Sequence, residues 1–362
     1  MTKFIPGLEL SRLFYEEAVR PVIDRHFPEV LHSAALLGHG SEVLGFDTPQ
    51  STDHHWGPRL QLFLCEEDYP RHSPDIKKVL SNELPPRFMG YSTHFTEPDE
   101  EGVQHMKEIE SGPINHRVVT CTVRSFFESI LHFNPYDEIG VLDWLTFPQQ
   151  ELLGIIRGEV FFDGLNELNR VRDKFRYYPK DVWLYLVASQ WMKISQEEAF
   201  VGRCGEIGDE VGSQIIAARL VRELIRLCFL LEKTYIPYGK WLGTAFAQLQ
   251  SSKQLRPIFI RVLHSTTWNE REKWLSRACE IAGNLHNSLG ITRHVEAEVS
   301  YYHNRPYLVI HAERFAKATR DAIEDENVNA IKVIIGSIDQ FVDSTDLLSN
   351  PQLFRLSKVL FE

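Results

Sequence analysis

Hydrophobic positions in the first part of the chain follow two spacings, one typical of helices and one typical of strands. From Leu8 to Arg25 the apolar residues recur with a period of 3.6, which predicts an amphipathic helix. Short apolar runs at His32–Leu37 and Leu60–Cys65, and the β-branched run Arg117–Val123, predict strands. These segments predict a small sheet preceded by a helix.

Two other segments of this part have weaker patterns. Residues 66–112 are rich in Pro, Ser, Asp and Glu, which predicts loops around a short irregular segment. Gly158–Gly164 is one last candidate for a strand and a turn. Pro135 and Pro148 nevertheless indicate that the sheet ends soon after Val123.

The second part of the chain is helical in its pattern. Apolar residues fall at helical spacing from Asp181 to about Asn287, and a short hairpin or strand near Pro306–His311 comes before further helices. We therefore predict an α+β fold. A small mixed-sheet domain with an N-terminal helix is expected over residues 1–135, and an α-helical substrate or acceptor domain over residues 136–362.

Composition supports two domains and excludes several classes of protein. The chain has 362 residues and a net charge of −11, which argues against broad binding of nucleic acids. No apolar run approaches the ~18–20 residues of a membrane span, and the start lacks a signal peptide, so we expect a cytoplasmic protein with no membrane partner. The five cysteines form no C-x-x-C pair, so neither a disulfide framework nor a zinc ribbon is expected.

The segment between the first two predicted strands carries the candidate chemistry. Gly40 and Ser41 follow the first strand, and Asp53-His54-His55 comes after eleven intervening residues, where the second strand is expected to open. A glycine turn lets backbone N–H groups approach phosphates. Alternate positions of a strand project to one face, so Asp53 and His55 could hold metal ions against the same phosphates.

This segment resembles the nucleotidyltransferase superfamily, in a branch known mainly as a domain of unknown function. The shared string looks like Gly-Ser-Glu-Val-Leu-Gly-Phe-Asp followed by Ser-x-Asp-His-x-Trp-Gly-Pro-Arg, and its fixed positions are present at Gly40–Asp47 and Ser51–Arg59. The resemblance continues through four further strings and so covers most of the chain. These strings are Gln196–Arg203, Gly208–Ser213, Ala218–Glu223 and Tyr235–Trp241.

The resemblance implies a core like that of aminoglycoside nucleotidyltransferases, joined to a helical domain. It implies metal-dependent transfer of a nucleotidyl group, adenylyl above all, from a nucleoside triphosphate to a small-molecule acceptor. A homodimer is possible on the same ground, since related helical-domain transferases often build a site across two subunits. The residues implied to bind the nucleotide are Gly40, Ser41, Ser51, Arg59, Arg219, Arg222 and Lys240.

The resemblance also implies roles for the acidic residues. Asp53 would be a catalytic residue and a ligand of Mg²⁺ or Mn²⁺, with His55 as the second ligand. Glu197 or Glu198 would be the base that deprotonates the acceptor, as carboxylates of helical domains do in antibiotic nucleotidyltransferases.

Position 55 departs from the superfamily, which has a second carboxylate there. Magnesium prefers oxygen ligands, whereas imidazole suits zinc, manganese or iron better. Three alternatives follow: one magnesium ion held through Asp53, another transition metal held with His55, or loss of the transfer chemistry. The third carboxylate is also absent from Arg117–Val123, and Asp163 is a substitute candidate in sequence only.

Two rival functions therefore stand beside transfer. The chain could be a binding module that senses a nucleotide or a partner without turnover, or its pocket could serve unrelated chemistry on a small metabolite. Arg219, Arg222 and Arg226 similarly predict either a phosphate-binding wall or a partly buried network of salt bridges. Nucleotide binding and metal content would separate the three functions.

Overall fold

The computed structural model describes residues 4–100 and 102–361. Its strands are β1 (His32–Leu36), β2 (Arg59–Leu64), β3 (Arg87–Phe88), β4 (Tyr91–Ser92), β5 (Arg117–Cys121), β6 (Glu159–Asp163), β7 (Ser300–Tyr301) and β8 (Leu308–Val309). Its α-helices are α1 (Gly7–Phe14), α2 (Arg20–His26), α3 (Ser41–Leu44), α4 (Tyr69–Glu83), α5 (Val123–Leu131), α6 (Val141–Thr146), α7 (Gln149–Arg157), α8 (Leu168–Lys174), α9 (Lys180–Glu197), α10 (Phe200–Glu206), α11 (Glu210–Leu231), α12 (Leu242–Phe246), α13 (Ser252–His264), α14 (Trp268–Ser288), α15 (Glu313–Arg320), α16 (Glu326–Asn329), α17 (Ile338–Phe341), α18 (Thr345–Leu348) and α19 (Pro351–Leu356). A π-helical turn (Tyr15–Val19) and three 3₁₀ turns (Pro49–Asp53, Gly239–Trp241 and Ser357–Leu360) complete the regular structure.

The chain forms two compact units, each with its own core. The first unit contains residues 1–138 and 151–176, and the second contains residues 139–150 and 177–362. The sequence indicated a single boundary at residue 135. The chain instead returns to the first unit after residue 150, because β6 adds a strand to the sheet there.

The sheet of the first unit is mixed, as predicted, and the α+β class is confirmed. Its order is β5-β2-β1-β6, with β1 antiparallel to both of its neighbours and β2 parallel to β5. All five residues of β1 are buried, as expected for a central strand covered on both faces. The sheet does not end with β5, because the candidate strand around residues 158–164 forms β6 at its other edge.

A helix stands where loops were predicted between residues 66 and 112. α4 has 15 residues and buries Ile76 and Leu80 in the core of the first unit. Pro70 lies in the first turn of the helix, where its missing N–H costs no hydrogen bond, whereas Pro74 lies inside the helix. Burial of the apolar stripe offsets the cost of the hydrogen bond that Pro74 cannot donate. The high content of proline and polar residues therefore led to the wrong prediction of loops here.

The predicted N-terminal helix forms as α1, the π-helical turn and α2 in succession. Leu10, Phe14 and Val19 on its apolar face are fully buried. The Tyr15 hydroxyl lies 2.9 Å from Nε2 of His32, the first residue of β1. The helix is thereby fixed against the sheet that carries the candidate site.

The second unit is mainly helical and includes the predicted hairpin, which forms as β7 and β8. In α9 every residue from Val182 to Trp191 is buried, so this helix lies inside the unit. Trp191 stacks on Phe315 of α15 with the ring centroids 4.5 Å apart. In the part of the chain that the structure describes, no helix combines the length and the apolar character needed to cross a membrane.

Candidate functional site

The glycine turn between β1 and α3 has a backbone that requires glycine. Gly38 and Gly40 have φ angles of 85° and 139°, a region that side chains disfavour. A Cβ atom on Gly40 would lie 2.5 Å from Nη2 of Arg59 and 2.7 Å from Oε2 of Glu42. The turn is therefore closely surrounded by the side chains that hold it.

A buried ion pair between Arg59 and Glu42 holds this turn in place. Arg59, at the start of β2, places Nη2 2.6 Å from Oε1 of Glu42 and donates from the same nitrogen to the backbone oxygen of His39 at 2.7 Å. The two side chains are 12% and 4% exposed. Arg59 was predicted to bind the nucleotide, and the contacts observed for it are those of a residue that positions the turn.

Asp47 and Trp56, two fixed positions of the motif, also have structural partners. One oxygen of Asp47 accepts hydrogen bonds from the backbone N–H of Gly7 at 2.7 Å and from the indole N–H of Trp56 at 3.0 Å. Trp56 is 2% exposed. This part of the motif joins the N-terminal helix to the loop before β2.

Asp53 does not lie on the second strand. It ends a 3₁₀ turn that begins at Pro49, and β2 begins only at Arg59, so the expected alternation of Asp53 and His55 along a strand is absent. Ser51, predicted to contact the nucleotide, caps this turn by accepting the N–H of Thr48 at 3.0 Å. The cap favours a helical turn, and this is the physical reason for the difference.

The Asp53 carboxylate is exposed and points to its neighbour. Its Oδ1 lies 3.0 Å from Nδ1 of His54, and this contact is the main cause that lowers its pKa. His105 reaches the same residue from another loop, with Nδ1 2.7 Å from the backbone oxygen of Asp53. Asp53 is therefore ionised and lies among histidines.

His55 lies at the centre of a group of basic side chains. Arg117, the first residue of β5, donates from Nη1 to the backbone oxygen of His55 at 3.1 Å, and the same nitrogen is 3.4 Å from Nδ1 of the His55 ring. His55 has a φ of 53°, in the left-handed region that histidine adopts more often than most residues. We call the side chains of His54, His55, Arg59, His105 and Arg117 the basic cluster.

The charges in this cluster repel one another. Burial lowers the pKa of His55, and the charges of Arg117, His54, Arg59 and His105 lower it further. The pKa of Arg117 falls to about 10, first through burial and then through the charge of Arg59, its neighbour in the β2–β5 register. The cluster therefore disfavours added positive charge and favours an anion.

Within the described residues, Asp53 and His55 are not joined by a third protein ligand for a divalent metal ion. Over residues 4–100 and 102–361, no three or more His, Cys, Asp or Glu side chains come together as metal ligands. Arg117 lies beside Nδ1 of the His55 ring, so a cation at this nitrogen would meet the charge of the guanidinium group. Binding of Mg²⁺ or Mn²⁺ by Asp53 and His55 stays a prediction.

Asp163, considered as a third carboxylate, has a structural role at the other end of the sheet. It accepts a hydrogen bond from the Ser33 hydroxyl at 2.7 Å and from the N–H of Asn169 at 3.0 Å, close to the start of α8. Ser33 lies five residues before Gly38, which at ~3.3 Å per residue is roughly 16 Å away along the strand. Asp163 therefore cannot serve the glycine turn.

The predicted residues of the second unit have different partners from one another. Glu197 pairs with Arg219 at 2.7 Å, and Arg222 pairs with Asp343 at 2.8 Å. Lys240 is exposed, with Nζ 5.2 Å from the ring centre of Trp241. Of these predicted residues, Glu197 and Arg219 form an ion pair with each other.

Glu198 is a buried carboxyl with a strongly perturbed pKa. It accepts the backbone N–H groups of Ile310 at 3.1 Å and Ala312 at 3.2 Å, which anchor the chain after β8. Burial nevertheless raises its pKa to about 7. This value suits a general base, but the observed hydrogen bonds already give Glu198 a structural role.

Arg222 and Arg226 belong to the partly buried network of salt bridges that the sequence offered as one alternative. Glu223, whose side chain is 5% exposed, lies 3.3 Å from Nε of Arg222 and 3.5 Å from Nζ of Lys193. It also accepts a hydrogen bond from Gln190 at 2.8 Å. These contacts make Glu223 the centre of the network.

Sequence reasoning missed two members of the basic cluster. Arg117 had a signal in the sequence, because it is the first residue of the strand Arg117–Val123. That strand was expected to carry the third carboxylate and contains none. His105 carries no signal in the sequence, since it reaches Asp53 only through the folding of the loop around it.

Comparisons with known proteins give similarity without an assigned activity. The chain matches a family model described as a domain of unknown function (DUF4037) over residues 144–242, a stretch that excludes the glycine turn and the basic cluster. No curated protein matches the chain. Among solved structures it is similar to a nucleotidyltransferase-like protein from Exiguobacterium sibiricum 255-15, with 11% identity, a TM-score of 0.31, and coverage of 80% of this chain and 82% of that chain.

Proposed function

We propose that the first unit binds a nucleoside triphosphate through its phosphate groups at the glycine turn and the basic cluster. The observation that carries this proposal is an imbalance of buried charge. Arg59 and Arg117 are neighbours on adjacent strands, and Glu42 is the carboxylate that pairs with Arg59. Among the described residues, no carboxylate lies within ion-pair distance of Arg117.

A phosphate group would correct this imbalance. It would accept hydrogen bonds from the Arg117 guanidinium, and its charge would raise the pKa of His55 towards the ordinary range. Arg59 would keep its contacts with Glu42 and His39 and so hold the turn in place. The chain's own residues supply the positive charge, so binding does not depend on a metal ion held by Asp53 and His55.

Calorimetric titration tests the proposal directly. ATP, GTP, CTP and UTP are titrated into the protein in EDTA and, separately, with Mg²⁺ or Mn²⁺, beside inorganic triphosphate. We expect saturable binding in EDTA of at least one nucleotide. Equal affinity for triphosphate would mean that the site recognises phosphate alone, and this result would refute nucleotide recognition.

The matched variants are Arg117→Gln and Arg87→Gln. Arg117→Gln removes the unbalanced guanidinium and should weaken binding by about tenfold or more, since a hydrogen bond to a charged group contributes ~1.5–3 kcal/mol. Arg87 is exposed and pairs with Glu108, so Arg87→Gln should bind as the wild type does. Unchanged binding in Arg117→Gln would show that the phosphates lie elsewhere.

A second candidate is nucleotidyl transfer to a small acceptor, favoured by the exposed and ionised Asp53 beside the cluster. In this reaction an acceptor O–H or N–H loses its proton to a base, and its oxygen or nitrogen forms a bond to the α-phosphorus. The bond between the α-phosphorus and the bridging oxygen of the β-phosphate breaks, and pyrophosphate leaves. Screening acceptors for pyrophosphate release, wild type beside Asp53→Ala, tests it. Activity that survives intact in Asp53→Ala would exclude this role of Asp53.

A further inference from the structure

The second unit contains a cavity that none of the predicted site residues lines. It has a volume of about 220 Å³ and is lined by residues from the end of α11, the start of α13 and the end of α14. An apolar cavity of about 150 Å³ is large enough to bind benzene. This cavity therefore has room for a six-membered ring with a short substituent.

One part of the cavity wall is apolar. Leu231, Leu285 and Leu289 supply most of it, and Leu289 is 40% exposed, which places the mouth of the cavity at the end of α14. Cys228 also lines the wall, and burial raises the pKa of its thiol to about 12, so this group is uncharged at neutral pH. The hydrocarbon part of a ligand would be buried here without removing any charged group from water.

Another part of the wall is polar and carries a negative charge. Glu232 accepts the backbone N–H of Gln250 on one oxygen and that of Ser251 on the other, both at 2.8 Å. These two bonds fix the carboxylate, and each oxygen keeps a further lone pair. No cationic side chain of the described residues lies within ion-pair distance of Glu232.

A buried hydroxyl lies beside this carboxylate. Ser251 lines the cavity and is 5% exposed; within the described ranges its hydroxyl makes no hydrogen bond of ordinary geometry, and the weakly polar thiol of Cys228 lies beside it. A buried polar group without a partner costs stability, so it is an available contact for a polar group of a ligand. Together, Glu232 and Ser251 offer acceptors at one end of an apolar cavity.

We propose that this cavity binds a small organic ammonium compound with an apolar body. The ammonium group has three donors and no acceptor, which matches Glu232 and Ser251, and the hydrocarbon body packs against the leucines. No Lys, Arg or His lines the cavity, so an anion would meet the Glu232 charge with nothing to balance it. The site therefore differs in ligand chemistry from the basic cluster.

Three aromatic probes of similar size test the proposal on the full-length protein. Benzylammonium, benzyl alcohol and benzoate are titrated while the leucine methyl signals are followed by NMR. We expect saturable binding of benzylammonium with shifts at Leu231, Leu285 and Leu289, weaker binding of the alcohol, and none of benzoate. Benzyl alcohol or benzoate binding as tightly as benzylammonium would overturn the proposed chemistry.

Two variants and one control locate the site. Leu285→Trp fills the cavity and should abolish binding, and Glu232→Gln keeps an amide oxygen for one N–H but removes the charge, which should weaken binding at least tenfold. Leu263→Trp changes an exposed leucine of α13 outside the cavity and should bind normally. Thermal unfolding shows that each variant is folded.

If Leu285→Trp does not fold, Gln254→Trp at the exposed start of α13 blocks the cavity instead. Absence of saturable benzylammonium binding to the wild type would overturn the proposal. So would binding that is unchanged in Glu232→Gln and in the cavity-blocking variant.

Discussion

Replacement of Glu42 by glutamine tests the buried charge balance on which the proposed site rests. The Glu42 side chain is 4% exposed and its partner Arg59 is 12% exposed, so solvent screens the pair little. Removing one partner of a buried ion pair costs ~3–5 kcal/mol, because the other charge stays behind without compensation. Glutamine can still accept one hydrogen bond from Arg59, so we expect the lower end, about 3 kcal/mol of unfolding free energy.

Urea unfolding measures this loss. With a slope of ~2 kcal/mol per molar urea, a loss of about 3 kcal/mol lowers the midpoint by roughly 1.5 M. Trp56 is the one tryptophan whose position falls in the first unit, so the fluorine signal of Trp56 in 5-fluorotryptophan-labelled protein reports this unit by itself. This readout keeps the unfolding of the second unit from masking the effect.

The control is Glu16→Gln, which breaks the exposed pair between Glu16 and Arg12 on the N-terminal helix. An exposed pair of this kind contributes at most ~1 kcal/mol, so its midpoint should change little. A loss below about 1 kcal/mol in Glu42→Gln, no larger than in the control, would refute the buried ion pair. Added phosphate should stabilise Glu42→Gln more than the wild type, because the variant has a further uncompensated positive charge.

Three more predictions concern packing, hydrogen bonding and pH. Gly154→Ala should lower stability by ~1–3 kcal/mol in urea unfolding, since its Cβ would lie 2.5 Å from the backbone oxygen of Gly38, whereas Gly243→Ala, with open space around it, should be neutral or slightly stabilising. Asp47→Ala should lower the melting temperature more than Asp47→Asn, because it leaves the buried N–H groups of Gly7 and Trp56 without an acceptor, at ~1–3 kcal/mol each. The raised pKa of Glu198, about 7 against an ordinary 4.5, means that the folded state holds a proton which the unfolded state has lost between these values, so stability falls as pH rises through this window, by up to ~1.4 kcal/mol per pH unit. In Glu198→Gln the urea midpoint should depend less on pH over this range than in the wild type. An identical pH profile in both proteins would contradict the assigned pKa.

The sequence by itself determined the N-terminal helix, the strands of the sheet and the helical character of the second part of the chain. Strands at His32–Leu36, Arg59–Leu64 and Arg117–Cys121 lie within a residue or two of their predicted bounds, because burial on a sheet selects short apolar runs locally along the chain. The sequence prediction was wrong at α4, because the prolines of this segment indicated loops and the short apolar stripe was not recognised as helical. The local pattern of apolar residues therefore predicted the continuously buried strands. It did not predict α4, which buries only two of its residues.

The candidate site could be found from the sequence only in part. The glycine turn was identified from its spacing and Arg59 from the family resemblance, but their predicted contact with a nucleotide stays a prediction. The expectation that Asp53 opens a strand is wrong, because the capping interaction of Thr48 with Ser51 turns this segment into a 3₁₀ helix first. Capping depends on the geometry of a few backbone groups, which residue spacing does not specify.

The charge of the site was decided by the tertiary structure. Parallel pairing of β2 with β5 puts Arg59 beside Arg117, although 57 residues separate them in the sequence, and loop folding brings His105 to Asp53. Strand register and loop contacts arise from the burial of the whole core, not from any local stretch. The sequence therefore determined which residues were available, and the tertiary structure brought the basic ones together.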